Sequence, residues 1–347
     1  MDETHNKSGE ALPHNISLQR DEQGWFEAEG DKLAYQGNPY YLNLALQHDG
    51  IRRQLIPTKQ EMMFLDTESS DPLSEGIHSP VPRMIHRYGN RVAVLVTDRC
   101  SIHCRHCFRR SFTGKGHADL SQSECDSIIG YIENHKEIQE VLLTGGDPLT
   151  LGDSSLLEIL KRFRTVRDDL IIRLATRIPA VYPRRINPDL LREIGRLSPL
   201  WMVIQFNHPE ELTPESRRAL RIIREAGIPM VNQTVLLKAV NDDSDILARL
   251  FQGLLREGVK PYYLFQGDLA RGTSHFRVPL ERGWQIMDEL RVKISGLAMP
   301  SYAVDLPGGG GKIPLNRSLL LRTTKTAYVF KNTEVDGREY EYPRETE

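Results

Sequence analysis

The sequence is poor in cysteine and tryptophan, with four and three in 347 residues. Charge of one sign is also missing: the net charge is −2, with acids and bases interspersed. That balance excludes the massed basic patch of a nucleic-acid binder and the polybasic anchor of a membrane-surface protein. No apolar run approaches the ~18 residues of a membrane span. Met1–Glu10 is polar and lacks the apolar stretch of a signal peptide. A cytoplasmic location is the expectation. There is no internal repeat, and no low-complexity tract beyond Gly308–Gly311. What remains, at 39% hydrophobic content, is enough for one large core or a core with a small accessory segment.

The few cysteines are not scattered. Cys100, Cys104 and Cys107 form C-x3-C-x2-C, and Cys125 stands apart. A disulfide framework would spread its cysteines along the chain, whereas a cluster in a cysteine-poor sequence points to a metal site. Thiolates are the ligands of iron–sulfur clusters. Three thiolates on a four-iron cubane leave one iron open for another ligand. The alternative is a structural zinc on the three cysteines and His106, although the spacing lacks the paired C-x2-C knuckles of zinc ribbons. Cys125 falls within a helical run and reads as a small core residue.

The order of elements places this cluster. Asn38–Leu55 reads as helical, with Tyr41, Leu42, Leu44, Ala45 and Ile51 on an apolar face. Ser79–Pro82 reads as an extended linker. From residue 91, β-rich runs alternate with amphipathic ones. Strands are expected at Arg91–Thr97, Glu140–Thr144, Leu170–Ala175, Trp201–Phe206, Met230–Leu236, Lys260–Phe265 and Ser301–Asp305. Helices are expected near 121–134, 153–165, 188–197, 214–226, 242–257 and 280–295. Ser121 and Glu124 have capping-box spacing, and Pro214 suits a first helical turn. Strict alternation with apolar strands implies an α/β fold whose parallel sheet is covered by helices. Six βα units and a last strand suit a partial (β/α)6 barrel, and a doubly wound open sheet is the alternative. Either fold gathers its chemistry at the C-terminal ends of the strands. The expected division is a mostly helical N-terminal extension (1–85), the barrel (86–315) and a short C-terminal tail (316–347).

A second unusual segment is Asp305-Leu306-Pro307-Gly308-Gly309-Gly310-Gly311-Lys312. Four consecutive glycines exclude a helix or strand interior and permit a tight path close to a ligand. The phosphate-binding pattern G-x-x-x-x-G-K-[ST] fails at Leu306 and Ile313. Lys312 on a glycine hinge after the last strand suits Schiff-base chemistry with pyridoxal phosphate (PLP). It also suits a plain turn with a solvated lysine. Arg87 and Arg177, near strand ends, are candidates for the PLP phosphate.

C-x3-C-x2-C after the first strand of such a barrel resembles the radical S-adenosylmethionine (SAM) superfamily. Thr144-Gly145-Gly146-Asp147-Pro148 after the second strand resembles that superfamily's SAM-amino motif, in which Glu often stands where this chain has Asp147. More narrowly, the chain resembles the lysine 2,3-aminomutase family. The matching stretches are Asp71-Pro72-Leu73, Ser79–Pro82, His86-Arg87-Tyr88, the cysteine run through Arg110, Phe206–Pro209, Asn232-Gln233, Pro261–Tyr263, Ser274–Arg277 and Asp305–Lys312. They cover roughly residues 38 to 315.

The resemblance implies an isomerase with three cofactors: a [4Fe-4S] cluster on Cys100, Cys104 and Cys107, SAM on its open iron, and PLP on Lys312. It implies that Arg109 grips the substrate carboxylate and that Asp268 and Asp305 grip the distal ammonium of lysine. It places Arg87, Tyr88 and Arg91 near PLP and SAM, with Gln233 on the same wall. It implies a reducing electron donor. Two departures stand out. Phe265 replaces a Tyr usual in longer members. Those members also carry a cysteine-rich zinc-binding tail, whereas Asn332–Glu347 has no Cys, which leaves a homo-oligomer open. Short relatives make β-lysine for elongation factor P, and the short length here resembles them, yet the intact Gly308–Lys312 motif resembles the free-lysine enzymes. Paired aspartates favour a cationic side chain independently of the resemblance, with arginine as the alternative to lysine. A non-catalytic metalloprotein would account for the cysteines alone.

Overall fold

Apolar strand runs and amphipathic helix runs dictate the centre of the molecule. The computed structural model describes residues 16–316, 320–331 and 338–345. The polar stretch Met1–Glu10 lies outside them. Parallel strands β2 (Arg91–Thr97), β3 (Glu140–Gly145), β4 (Ile171–Thr176), β5 (Leu200–Ile204), β6 (Met230–Val235), β7 (Val259–Phe265) and β8 (Ser301–Leu306) follow one another in that spatial order. Helices α4 (Gln122–Asn134), α5 (Asp153–Val166), α7 (Pro188–Gly195), α8 (Pro214–Glu225), α9 (Ser244–Arg256) and α10 (Leu280–Lys293) cross between them. A four-residue helix α6 (Ile178–Val181) follows β4 directly. This is the expected partial barrel, and the open doubly wound alternative falls away with its strand order.

Local chemistry sets the bounds. The Ser121 side chain accepts the Glu124 N–H at 3.3 Å and the Glu124 carboxylate accepts the Ser121 N–H at 2.9 Å, a complete capping box for α4. Pro214 opens α8 with Thr213 as its cap. Val92, Val94 and Val96 of β2 turn alternately inward and are buried. The expected helix over 38–55 is instead two, α2 (Pro39–Gln47) and α3 (Asp49–Leu55), because His48 adopts extended backbone between them. A shorter helix α1 (Arg20–Glu27) precedes both, and buried Trp25, Tyr41, Ile51 and Leu55 join this extension to the core.

Two antiparallel strands flank the parallel ones: β1 (Met84–Tyr88) beside β2 and β9 (Gly311–Pro314) beside β8. They are the two edges of the sheet, and the curl brings them together. The Lys312 N–H on β9 donates to the Tyr88 hydroxyl on β1 at 2.6 Å. The barrel is thus nearly closed through side chains where the ladder stops.

The region expected as a tail is structured among its described residues. Strands β10 (Leu320–Thr323), β11 (Ala327–Lys331) and β12 (Glu339–Pro343) form a separate antiparallel sheet. Tyr328, Phe330 and Tyr342 are buried, and the Tyr342 hydroxyl donates to the Gly267 carbonyl at 3.2 Å. These strands are short and their outward positions charged, so they lack a long apolar signal. Among the described residues, no helix is long and apolar enough to cross a membrane.

Candidate active site

The cysteine loop leaves the C-terminal end of β2. Gln36 Nε2 donates to the Cys100 carbonyl at 2.5 Å, and the Cys107 N–H donates to the Cys104 carbonyl at 3.0 Å. The Asp98 carboxylate accepts the Gly116 and His117 N–H groups at 2.9 and 3.0 Å, which closes the loop's far end. Arg105 is fully buried between the ligand positions, held by Glu61 at 2.6 and 2.8 Å. Burial pushes the Cys100 thiol up, and Asp147, Cys107 and Cys104 add to it. Cys107 is raised by burial and then by Cys104. Raised thiols at Cys100 and Cys107 would become thiolates on a positive metal centre, and the softness of three clustered sulfurs fits iron–sulfur ligation. Cys125 is buried on α4, where Arg162, Asp126 and Glu158 are its charged neighbours.

Gly145 and Gly146 follow β3 against this loop. A Cβ on Gly145 would lie 2.4 Å from the Thr97 carbonyl oxygen, and one on Gly146 would lie 2.2 Å from that of Arg99. Gly145 also has φ +121°. Only glycine lets β3 come this close to the cysteine loop. The Asp147 carboxylate accepts the Thr176 hydroxyl at 2.7 Å, the Arg177 N–H at 2.7 Å and the Leu149 N–H at 3.0 Å, so it is held within the turn.

Arg177, a candidate for the PLP phosphate, is placed at the cysteine loop. Its Nη1 donates to Cys104 Sγ at 2.7 Å, and its Nη2 reaches Gln54, Glu211 and the Tyr41 hydroxyl at 2.5, 2.8 and 3.0 Å. Sequence reasoning missed this network and the part of His106. Gln205 and Asn207 amides lie 3.2 Å from His106 Nε2, and Nδ1 is buried without a partner. Burial holds this imidazole well below its ordinary pKa, hence neutral. Its place between two cysteines was the available signal.

Across the mouth, Lys312 lies beside the second set of expected residues. Its Nζ is 3.4 Å from Asp305 Oδ2 and 4.5 Å from the Phe265 ring centre. Arg87 Nη1 is 3.9 Å from Asp305 Oδ1, another Arg87 nitrogen donates to the Leu73 carbonyl, and its Nε is buried without a partner. Arg91 stacks on the Tyr88 ring at 3.8 Å. Gln233 sits at a register shift opposite Tyr263, whose ring is 5.3 Å from Lys312 Nζ. A cationic donor, Arg87, and a hydroxyl, Tyr88, on the lysine side fit an anionic aldehyde cofactor such as PLP.

Asp268 follows β7 and completes the cluster. Burial pushes its carboxyl up to about 8, Asp305 and Glu75 adding to the rise while Lys312 and Arg109 oppose it. Arg109 holds Glu75 at 2.6 Å and the Thr144 hydroxyl at 3.0 Å. Glu75 lies three residues beyond the Asp71-Pro72 pair, yet no role was expected for it. The mouth therefore carries a cation on one side and two acids with a lysine on the other.

Comparison with known proteins agrees with this geometry. Residues 94–251 match the model of the radical SAM superfamily, and residues 287–346 match that of lysine-2,3-aminomutase. The chain is 39% identical to the L-lysine 2,3-aminomutase of Fusobacterium nucleatum subsp. nucleatum over 331 residues, 94% of this chain and 78% of that one. It is 38% identical to the L-lysine 2,3-aminomutase of Acetoanaerobium sticklandii, over 96% of this chain and 81% of that one. It is 36% identical to the glutamate 2,3-aminomutase of Clostridioides difficile, over 93% of this chain and 77% of that one. The last shows that relatives with different substrates share this scaffold. At this identity over nearly the whole chain, and with both family models matched, the chain belongs to the lysine 2,3-aminomutase family of radical SAM isomerases, which work with a [4Fe-4S] cluster and SAM.

Proposed function

We propose that the chain interconverts L-lysine and β-lysine, with PLP held at Lys312. The observation that carries this reading is the placement of Asp268 and Asp305 beside Lys312, across the mouth from Arg109. Two acids in a poorly hydrated site call for a cation, and the arginine calls for a carboxylate. A free amino acid with a basic side chain answers both. A glutamate side chain would meet two carboxylates and be repelled, which favours lysine over the substrate named for the C. difficile relative.

In this reading Cys100, Cys104 and Cys107 hold three irons, and the backbone at Gly145 and Gly146 receives the SAM amino group. Arg87, Tyr88 and Arg91 hold the PLP phosphate side, with Gln233 on the wall. Arg109 orients the substrate carboxylate, and Asp268 and Asp305 fix its far end. Bound cluster and SAM, fed by a reducing electron donor, supply a hydrogen-abstracting radical, and PLP supplies the π-bonded nitrogen through which an amino group migrates. The residues hold the reacting carbon in place and keep water out. An anaerobic assay with SAM, PLP and dithionite tests the reading on lysine, arginine and glutamate separately. Conversion of lysine alone is expected. Faster conversion of either competitor overturns the substrate.

A further inference from the structure

Arg109 already holds a carboxylate. Its Nε donates to both Glu75 oxygens at 3.0 and 3.2 Å, and its Nη2 donates to Glu75 Oε1 at 2.6 Å. Its Nη1 donates to the Thr144 hydroxyl. The Nε/Nη2 edge, which is the one shaped for a two-point grip on a carboxylate, is therefore taken. Glu75 is held in place in turn. The Asp71 carboxylate accepts the Glu75 and Gly76 N–H groups at 2.9 and 3.1 Å, and the Ser79 hydroxyl donates to the Glu75 carbonyl at 3.0 Å. The same segment reaches the glycine turn. A Cβ on Gly309 would lie 2.8 Å from His78 Nε2. Residues 71–79 thus bridge Arg109 and the turn that carries Lys312.

A substrate α-carboxylate arriving at Arg109 brings a second anion to one half-buried guanidinium. Two carboxylates on the same edge repel, and only one can use both of its N–H groups. We propose that Glu75 is a positioning residue that holds Arg109 as an internal stand-in for the substrate carboxylate and yields the Nε/Nη2 edge when substrate binds. This rests on the reading that Arg109 receives that carboxylate.

The test compares lysine with 1,5-diaminopentane, which is lysine without its carboxylate. Both are titrated calorimetrically into anaerobic holoenzyme reconstituted with cluster, SAM and PLP. Glu75→Gln keeps an oxygen for Arg109 but removes the competing charge. Lysine should bind about tenfold more tightly to it, the scale of one charge-assisted hydrogen bond. The diamine should tighten by clearly less than lysine, because it gains only from the easier ionisation of Asp268 once the Glu75 charge is gone; its retained binding also shows that the variant is folded. Glu75→Asp keeps the charge and should return lysine affinity toward the parent value. Unchanged or weaker lysine binding in Glu75→Gln overturns the proposal, and so does an equal change for both ligands. Arg109→Gln separates the two claims. If it weakens lysine but not the diamine, Arg109 receives the carboxylate whatever Glu75 does. If lysine is unaffected, the underlying reading fails.

Discussion

Raising the pH from 6 to 8 should tighten lysine binding steeply, because Asp268 must lose a proton to hold an ammonium. Burial first, then Asp305 and Glu75, push its carboxyl up to about 8, against the opposing charges of Lys312 and Arg109. Tyr342 is the further titratable group within its field. At pH 7 the ionised form is then roughly one molecule in ten. If only that form accepts the side-chain ammonium, apparent affinity rises about tenfold per unit below pH 8, or about 50-fold between pH 6 and 8. Binding at pH 7 should expel about 0.9 proton per lysine. Calorimetry in two buffers of different ionisation enthalpy reads that number directly. Asp305→Asn removes one cause of the rise, so the pH slope should shrink while lysine binds more weakly overall. The sign for stability runs the other way. A carboxyl raised in the folded chain binds its proton more tightly there than in the unfolded chain. The substrate-free protein therefore loses stability as pH climbs from about 4 to about 8. Lysine binding that is flat from pH 6 to 8, with no proton expelled at pH 7, would refute the reasoning.

Cys104→Ala should lose iron and SAM cleavage, since two thiolates hold a cubane poorly, while Cys125→Ala should retain both. Iron analysis and deoxyadenosine release check the pair. Lys312→Ala should lose the absorption of protein-bound PLP and all turnover, with iron content unchanged. Glu61→Gln should destabilise the chain by about 3–5 kcal/mol, because it removes the counter-charge of buried Arg105 and Arg110. Urea denaturation measures that loss. Burial opposes Glu61 ionisation, but Arg105 and Arg110 prevail and hold it below its ordinary value. Its contribution is therefore present above about pH 4.5 and is lost as the pH falls through the lower folded value; the Gln variant should lack that acid-sensitive step.

The alternation of strands and helices was legible because each strand buries its alternate residues in the core and each helix buries one stripe. Val92, Val94 and Val96 illustrate the first, and Leu220 and Ile223 of α8 the second. The break at His48 was not legible, since the apolar stripe runs through it and only the backbone turns. Strands β10 to β12 escaped because each has only four or five residues, and β10 and β12 lie largely toward solvent, which leaves too little apolar pattern to stand above background. Among the site residues, spacing located the cysteines and the lysine because their chemistry depends on short stretches of chain. Pairings across the barrel were harder. Nothing in the sequence near Arg177 says that β4 ends against Cys104, or that Tyr41, Gln54 and Glu211 from three separate segments will surround it.

Long-range contacts also explain why the two halves of the mouth differ so sharply. On the cysteine side, Arg177, Glu211 and Arg105 have their charges answered within the protein, and they fix the loop. On the lysine side, burial first and then Asp305 push the Asp268 carboxyl up, with Lys312 and Arg109 opposing it. A charge-paired network gives rigidity, whereas buried carboxylates without enough opposing charge store a demand for a cation. Specificity therefore belongs on the lysine side. A change of substrate within this scaffold should begin at Asp268 and Asp305, because altering the satisfied side would remove support from the cysteine loop before it altered recognition.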